Sequence, residues 1–215
     1  MSDTVKPGRP YDSSRRREQA RRTRAGILDA ARRTFLAKGY TATTIAAVAA
    51  AAEVSVDTIY KQFRGKAGLL KAVYDVAVVG DDEPVPFAER EHVRRWSTDP
   101  DAARVIREYC ALFALTSARV APMVLLVHSA GGDPDARQVW DGIRDERLAG
   151  MAQFAGSLHA RGLLRPGLDA AAARDVLWTY TAPELFEMLV LTRGWSLERY
   201  GEFLADGMIA ALLPR

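Results

Sequence analysis

The sequence predicts an all-α protein with a three-helix head and a larger helical body, and three observations carry that expectation. Apolar residues recur at three- and four-residue spacing along most of the chain, the signature of a helix with one buried face. Apolar–polar alternation of the strand type is absent over any useful length. Helix caps and breakers, among them Gly39, Ser55, Gly80, Gly194 and Ser196, fall between the periodic runs.

Residues 1–17 hold Pro7, Gly8, Pro10 and few apolar groups, so a disordered basic arm is expected there. Arg9, Arg15, Arg16 and Arg17 suit it either to track phosphates or to act as a solubilising tail. A first helix runs from near Glu18 to Lys38, burying Ile27, Leu28, Ala31 and Phe35, with Gly39 as its cap. Thr43 caps a second helix to about Ala52, rich in small alanines that let another helix approach closely. Glu53 and Val54 turn the chain, and Ser55 caps a third helix to about Phe63. Val56, Ile59 and Phe63 share its buried stripe, while Asp57, Thr58, Tyr60, Lys61 and Gln62 point elsewhere. Gly65 and Lys66 open a fourth helix carrying Leu69, Leu70, Val73, Tyr74 and Ala77. Gly80, the acidic run Asp81 to Glu83, Pro84 and Pro86 then make a loop.

In the body, Asp99 and Pro100 read as a cap and first-turn proline for a helix through Tyr109, Leu112 and Phe113. Pro122 is placed in the first turn of a separate short helix, Arg119 to Ser129. After a loop at Gly131, Gly132 and Pro134, a long helix from about Asp135 to Arg161 carries Val139, Trp140, Ile143, Leu148, Met151, Phe154 and Leu158. Thr181 to Glu184 reads as a capping box for a helix to about Thr192. Gly194 ends that helix, and Ser196 caps a last one lined by Leu197, Tyr200, Phe203, Leu204 and Met208. The domain division expected is therefore 1–17 arm, 18–65 head and 66–215 body.

Composition narrows the function classes. Apolar residues make up 48% of the chain, enough for a substantial core, and the single cysteine, Cys110, excludes an internal disulfide. No signal peptide is visible, and no stretch reads as long and charge-free enough to span a membrane, so a cytoplasmic protein is expected. Residues 1–80 hold 15 Lys and Arg against 7 Asp and Glu, whereas the remainder holds 15 against 20. A basic head on an acidic body suits a polyanion at one end. An anionic membrane surface would give the same bias, but the alanine-rich second helix lacks the large apolar residues an interfacial helix inserts. Nucleic acid is favoured.

The third helix sharpens this. Hydroxyls, an amide, a phenol and one cation on a short outward face are suited to phosphates and base edges, as in the second helix of a helix-turn-helix. The run TTIAAVAAAAEVSVDTIYKQFRGKAGLLKAVYD resembles the DNA-binding domain of the TetR family of transcriptional repressors, chiefly through Ser55, Thr58, Tyr60, Phe63 and Lys66 at fixed offsets. The likeness covers residues 22–75. A weaker one covers 183–212, where the family pairs its last two long helices with those of a second subunit.

The resemblance implies a ligand-responsive homodimeric repressor that binds a palindromic operator in double-stranded DNA and an unknown small-molecule effector, with no cofactor and no membrane partner. It gives Thr43, Thr44, Tyr60 and Lys66 to phosphates, and Ser55, Val56, Thr58 and Lys61 to bases or flanking phosphates. The dimer interface would take Leu185, Leu189, Leu197, Tyr200, Phe203, Leu204 and Met208. Candidate effector contacts are Tyr109, Phe113, Met123, His128, Trp140, Phe154 and Trp178, all of residue types that also fill ordinary cores. Two positions depart from the family pattern. Glu53 stands where a glycine is usual and so needs a positive φ; Asp57 stands where another glycine is frequent, and complements the helix N-terminus or accepts from a cytosine amino group.

Catalytic motifs are missing. Gly131-Gly132 lacks the context of a phosphate-binding loop, and His92, His128 and His159 lie far apart, without metal-ligand spacing. The competing readings are an all-α enzyme or small-molecule-binding protein with a spatially assembled site, and an architectural DNA-bender.

Overall fold

The structure is a computed structural model that describes residues 13–80 and 90–215. All regular structure in the described residues is helical: α1 (Ser13–Ala42), α2 (Ile45–Ala51), α3 (Val56–Phe63), α4 (Lys66–Val79), α5 (Glu91–Thr98), α6 (Ala102–Ser129), α7 (Pro134–Ala160), α8 (Ala170–Tyr180), α9 (Pro183–Phe186) and α10 (Leu197–Leu212). A π-helical segment, Glu187–Thr192, continues α9. The expected arm at 1–12, with Arg9, and the acidic loop at 81–89 lie outside the described residues.

The head follows its sequence closely. Residues 13–17 are already helical, so α1 starts earlier than near Glu18. It breaks where expected, at Gly39, whose φ of 79° and ψ of 167° are non-helical. Ile27, Leu28, Ala31 and Phe35 from α1, Ile59 and Phe63 from α3, and Leu69, Leu70 and Val73 from α4 form one apolar cluster. The body contributes to that cluster too: Met123 and Val127 near the end of α6, and Ala136, Val139 and Ile143 near the start of α7. A second cluster unites α6, α7, α8 and α10 around Ile106, Cys110, Leu158, Leu177, Leu204 and Met208. Close helix approach is built on small residues. A Cβ on Gly201 would lie 3.4 Å from the Cys110 carbonyl, and one on Gly207 would lie 2.5 Å from the Tyr180 ring.

Four expectations fail in the body. Asp99 does not cap α6; Asp101 does, accepting from the Arg104 backbone N–H at 2.9 Å. Asp99 instead closes α5, a helix the sequence did not announce, and accepts from both the Asp101 N–H and the Arg104 guanidinium. Those bonds hold its carboxyl below the usual range. Pro122 sits inside a single 28-residue α6 rather than opening a new helix. An interior proline costs about 3 kcal/mol, but its neighbours Ala121, Met123 and Val124 are buried, and packing across both cores outweighs that cost. Thr181 forms no capping box: it is buried, and its hydroxyl donates back to the Leu177 carbonyl at 2.9 Å while Ala182 stands at the N-cap of α9. Finally, α6 does contain an 18-residue window of mean hydropathy 1.9 with few charges, long enough to cross a membrane, contrary to the sequence reading. It runs through the middle of the body and belongs to both apolar clusters.

Candidate nucleic-acid interface

The helix-turn-helix is built by local bonds the sequence makes available. Thr44, not Thr43, caps α2, its hydroxyl accepting from the Ala47 N–H at 3.1 Å. Thr43 is buried, and its hydroxyl donates to the Gly39 carbonyl at 2.7 Å, tying the broken end of α1 to the start of α2. Its expected role toward phosphate therefore fails on accessibility. The turn takes the positive φ expected of Glu53, at 54°, and the Val54 N–H closes it on the Ala49 carbonyl at 3.0 Å. Ser55 caps α3, accepting from the Thr58 N–H at 3.1 Å, and its hydroxyl also meets the Thr58 hydroxyl at 2.8 Å.

Ile59 and Phe63 anchor α3 in the head, leaving an outward face. Tyr60 is 53% exposed and Val56 39%, so Val56 leaves the buried stripe expected of it. Ser55, Asp57, Lys61 and Gln62 are exposed as well, and Thr58 is half-buried. A left-handed residue not foreseen, Arg64 at φ 61°, ends α3 with its N–H on the Tyr60 carbonyl. The next device was also missed in the sequence. A Cβ on Gly68 would lie 2.0 Å from the Phe63 carbonyl oxygen, so α4 crosses the end of α3 at a distance only glycine permits. Its signal was a glycine inside an otherwise helical run.

Lys66 stands at the first turn of α4, but its ammonium is engaged. It donates to the Tyr40 carbonyl at 3.2 Å and lies 4.2 Å from the centre of the Tyr40 ring. Tyr40 stacks on Phe35 and is buried, and burial pushes its hydroxyl up to about 12, helped by Asp133 and Asp135. Lys66 is thus first a brace between the ends of α1 and α4; the ammonium has further donors for a phosphate.

A second concavity lies in the body. It is a shallow cleft, open on one side, with room of about 50 Å³. Of the expected effector contacts, Phe113 and Trp140 line it. The others do not: Tyr109 is buried among Trp96, Phe113 and Phe154, Met123 is sealed in the head-side cluster, and His128 is exposed and stacked on Trp140 at 4.7 Å. Trp178 lies beneath Arg147. Lining residues the sequence reading missed include Tyr74, Ser117, Val124, Ile143, Arg147 and Phe186. Arg147 was legible as an arginine standing in the buried four-residue progression Val139, Ile143, Met151 and Ala155 of α7.

At the expected dimer surface, Tyr200, Leu204 and Met208 are fully buried within the subunit and cannot face a partner. Leu185, Leu189 and Leu197 are half-buried. The exposed apolar groups there are Phe203, with Met188 and Leu191 of the π-helical segment. No group of three or more His, Cys, Asp or Glu arranged to hold a metal occurs among the described residues.

Comparison with known proteins agrees with the head and with the whole. The family described as bacterial regulatory proteins, tetR family, matches residues 27–73. The HTH-type transcriptional regulator TtgR of Pseudomonas putida is 43% identical over 61 residues, which span 28% of this chain and 29% of TtgR. Among solved structures, NalD of Pseudomonas aeruginosa, the secondary repressor of the MexAB-OprM multidrug efflux pump, superposes with a TM-score of 0.69 at 22% identity over 91% of this chain and 98% of its own. SmeT, the repressor of the Stenotrophomonas maltophilia multidrug efflux pump SmeDEF, gives 0.63 at 21% identity over 89% of this chain and 90% of its own. TtgR is named a transcriptional regulator, and NalD and SmeT repressors of efflux pumps. Residues 27–73 thus carry the helix-turn-helix described as that of the tetR family, and over about nine-tenths of its length the chain has the fold of NalD and SmeT.

Proposed function

We propose that the chain is a homodimeric, ligand-responsive repressor whose two α3 helices read a palindromic operator in the cytoplasm. The observation that carries this is the outward face of α3: a capped, rigidly seated helix presents Tyr60, Lys61, Thr58 and Val56 beside the free N-terminal end of α2 at Thr44. Residues 18–65 act as the reading head on a body of 66–215, with Ser55 and Lys66 at its margins. The apolar surface of Met188, Leu191 and Phe203 is the natural seat of the second copy. The effector binds in the cleft lined by Phe113 and Trp140. That cleft lies at the seam of the two apolar clusters, with Ile143 from the head-side cluster and Phe186 from the body-side one. A ligand there biases how the head sits on the body, provided it prefers one arrangement over the other.

Lys61→Ala tests the reading. Its exposed ammonium is replaced without touching the core, so affinity for operator should fall and the slope of log affinity against log salt should shrink by about one. An unchanged slope with unchanged affinity would remove α3 from the DNA contact.

A further inference from the structure

The effector cleft contains a cation that the fold leaves without a counter-ion. Arg147 projects from α7 into the cleft wall and is half-buried. One guanidinium nitrogen, Nη1, is spent: it donates to the Trp178 carbonyl at 2.7 Å and to the Thr181 hydroxyl at 3.2 Å, where α8 ends. The guanidinium carbon lies 4.8 Å from the centre of the Trp178 ring. No carboxylate among the described residues makes an ion pair with it; Glu184 acts only at longer range. Its remaining N–H donors, on Nε and Nη2, have no protein acceptor among the described residues. Burial consequently disfavours its charge, which is the state of a cation short of an anion.

The same lining offers a matching donor. Tyr74 of α4 lines the same cleft, is half-buried, and makes no hydrogen bond through its hydroxyl among the described residues. Burial raises that hydroxyl to about 12, so it remains a donor at neutral pH. The rest of the lining is mostly apolar, Phe113, Val124, Ile143 and Phe186 among it, with Ser117 and Thr181 as further polar members. Arg144 also borders the cleft, but Asp141 holds it at 3.3 Å and it stays half-exposed. Arg147 is therefore the group in need of a partner.

Resting on the proposed effector role of the cleft, we infer that its ligand is a small amphipathic carboxylate. The anionic head sits on the free edge of Arg147 and accepts from the Tyr74 hydroxyl, and the hydrocarbon lies along Phe113 and Ile143. A guanidinium edge presents paired donors that match a carboxylate's two oxygens. Because Tyr74 belongs to α4 and Arg147 to α7, the same anion ties the helix that carries the head to the body. A neutral analogue would lack that tie.

The experiment compares three probes of one shape on the purified full-length protein by titration calorimetry: 4-phenylbutyrate, its neutral amide, and 4-phenylbutylamine. Expected is binding of the acid at least tenfold tighter than the amide, with the amine weakest. Arg147→Met should bring the acid down to the amide's affinity and leave the amide unchanged, while Tyr74→Phe costs the acid a smaller factor. If the acid and amide bind the wild type equally, or the amine binds best, the carboxylate assignment is overturned while the cleft stands as an effector site. Failure of all three probes to bind overturns both. The wild-type comparison decides the matter even if Arg147→Met loses stability through its lost hold on α8.

Discussion

Gly68 carries more of the head's geometry than any residue the sequence drew attention to. Replacing it with alanine places a methyl 2.0 Å from the Phe63 carbonyl, so α4 or α3 must shift. We expect Gly68→Ala to cost about 1–3 kcal/mol, as overpacked sites do. Gly26→Ala, on the exposed side of α1 with open space around its Cβ, should be neutral or stabilising by up to about 1 kcal/mol. Urea unfolding of the two variants checks this; equal effects would mean the crossing is looser than described. Cys110 offers a second residue-scale test. It is fully buried, its thiol donates to the Met208 sulfur at 3.6 Å, and burial pushes it up to about 12. Raised in the folded state, this pKa adds stability below the ordinary thiol pKa of about 8.5, lost as pH rises beyond it. Iodoacetamide at pH 8 should leave the native protein unlabelled and alkylate one thiol after denaturation. Rapid labelling of the native protein would show that α10 opens from α6.

At the scale of the element, the sequence was most legible where a helix both begins and ends on a local signal. Ser55 and Ser196 cap as expected, Gly39 and Gly194 break the chain with positive φ, and α7 runs Pro134–Ala160. It was least legible where tertiary packing overrides the local signal. Pro122 marked a helix start that the two cores on either side of α6 do not permit, and α8 has no long apolar run to announce it. Three of the seven expected interface positions fell for a related reason: periodicity identifies a buried stripe but not whether the subunit or its partner buries it. Tyr200, Leu204 and Met208 are spent inside the subunit, so Leu204→Glu should unfold the body. Leu191, 54% exposed, is the position to change. Leu191→Glu should leave melting of the subunit core intact and shift sedimentation toward the monomer; a dimer of unaltered affinity would move the interface elsewhere.

At the scale of the molecule, head and body are not joined by a flexible tether. Met123, Val127, Val139 and Ile143 of the body complete the head's apolar cluster, and Lys71 of α4 reaches Glu146 of α7 at 3.0 Å. Arg119 of α6 donates to the carbonyls of Ala77 and Val78, where α4 ends. A change in the body is thus delivered to α4 through packed side chains and these polar ties. In the proposed homodimer, two basic heads so fixed would present α3 at a set spacing, and duplex DNA would reward only the matching one. Selection of binding sites from a random duplex library by the purified wild-type protein tests that claim most directly. The account predicts enrichment of inverted repeats whose half-site centres lie about 34–36 Å, or a multiple of that, apart. Recovery of unrelated sequences, or of single half-sites bound by a monomer, would contradict it.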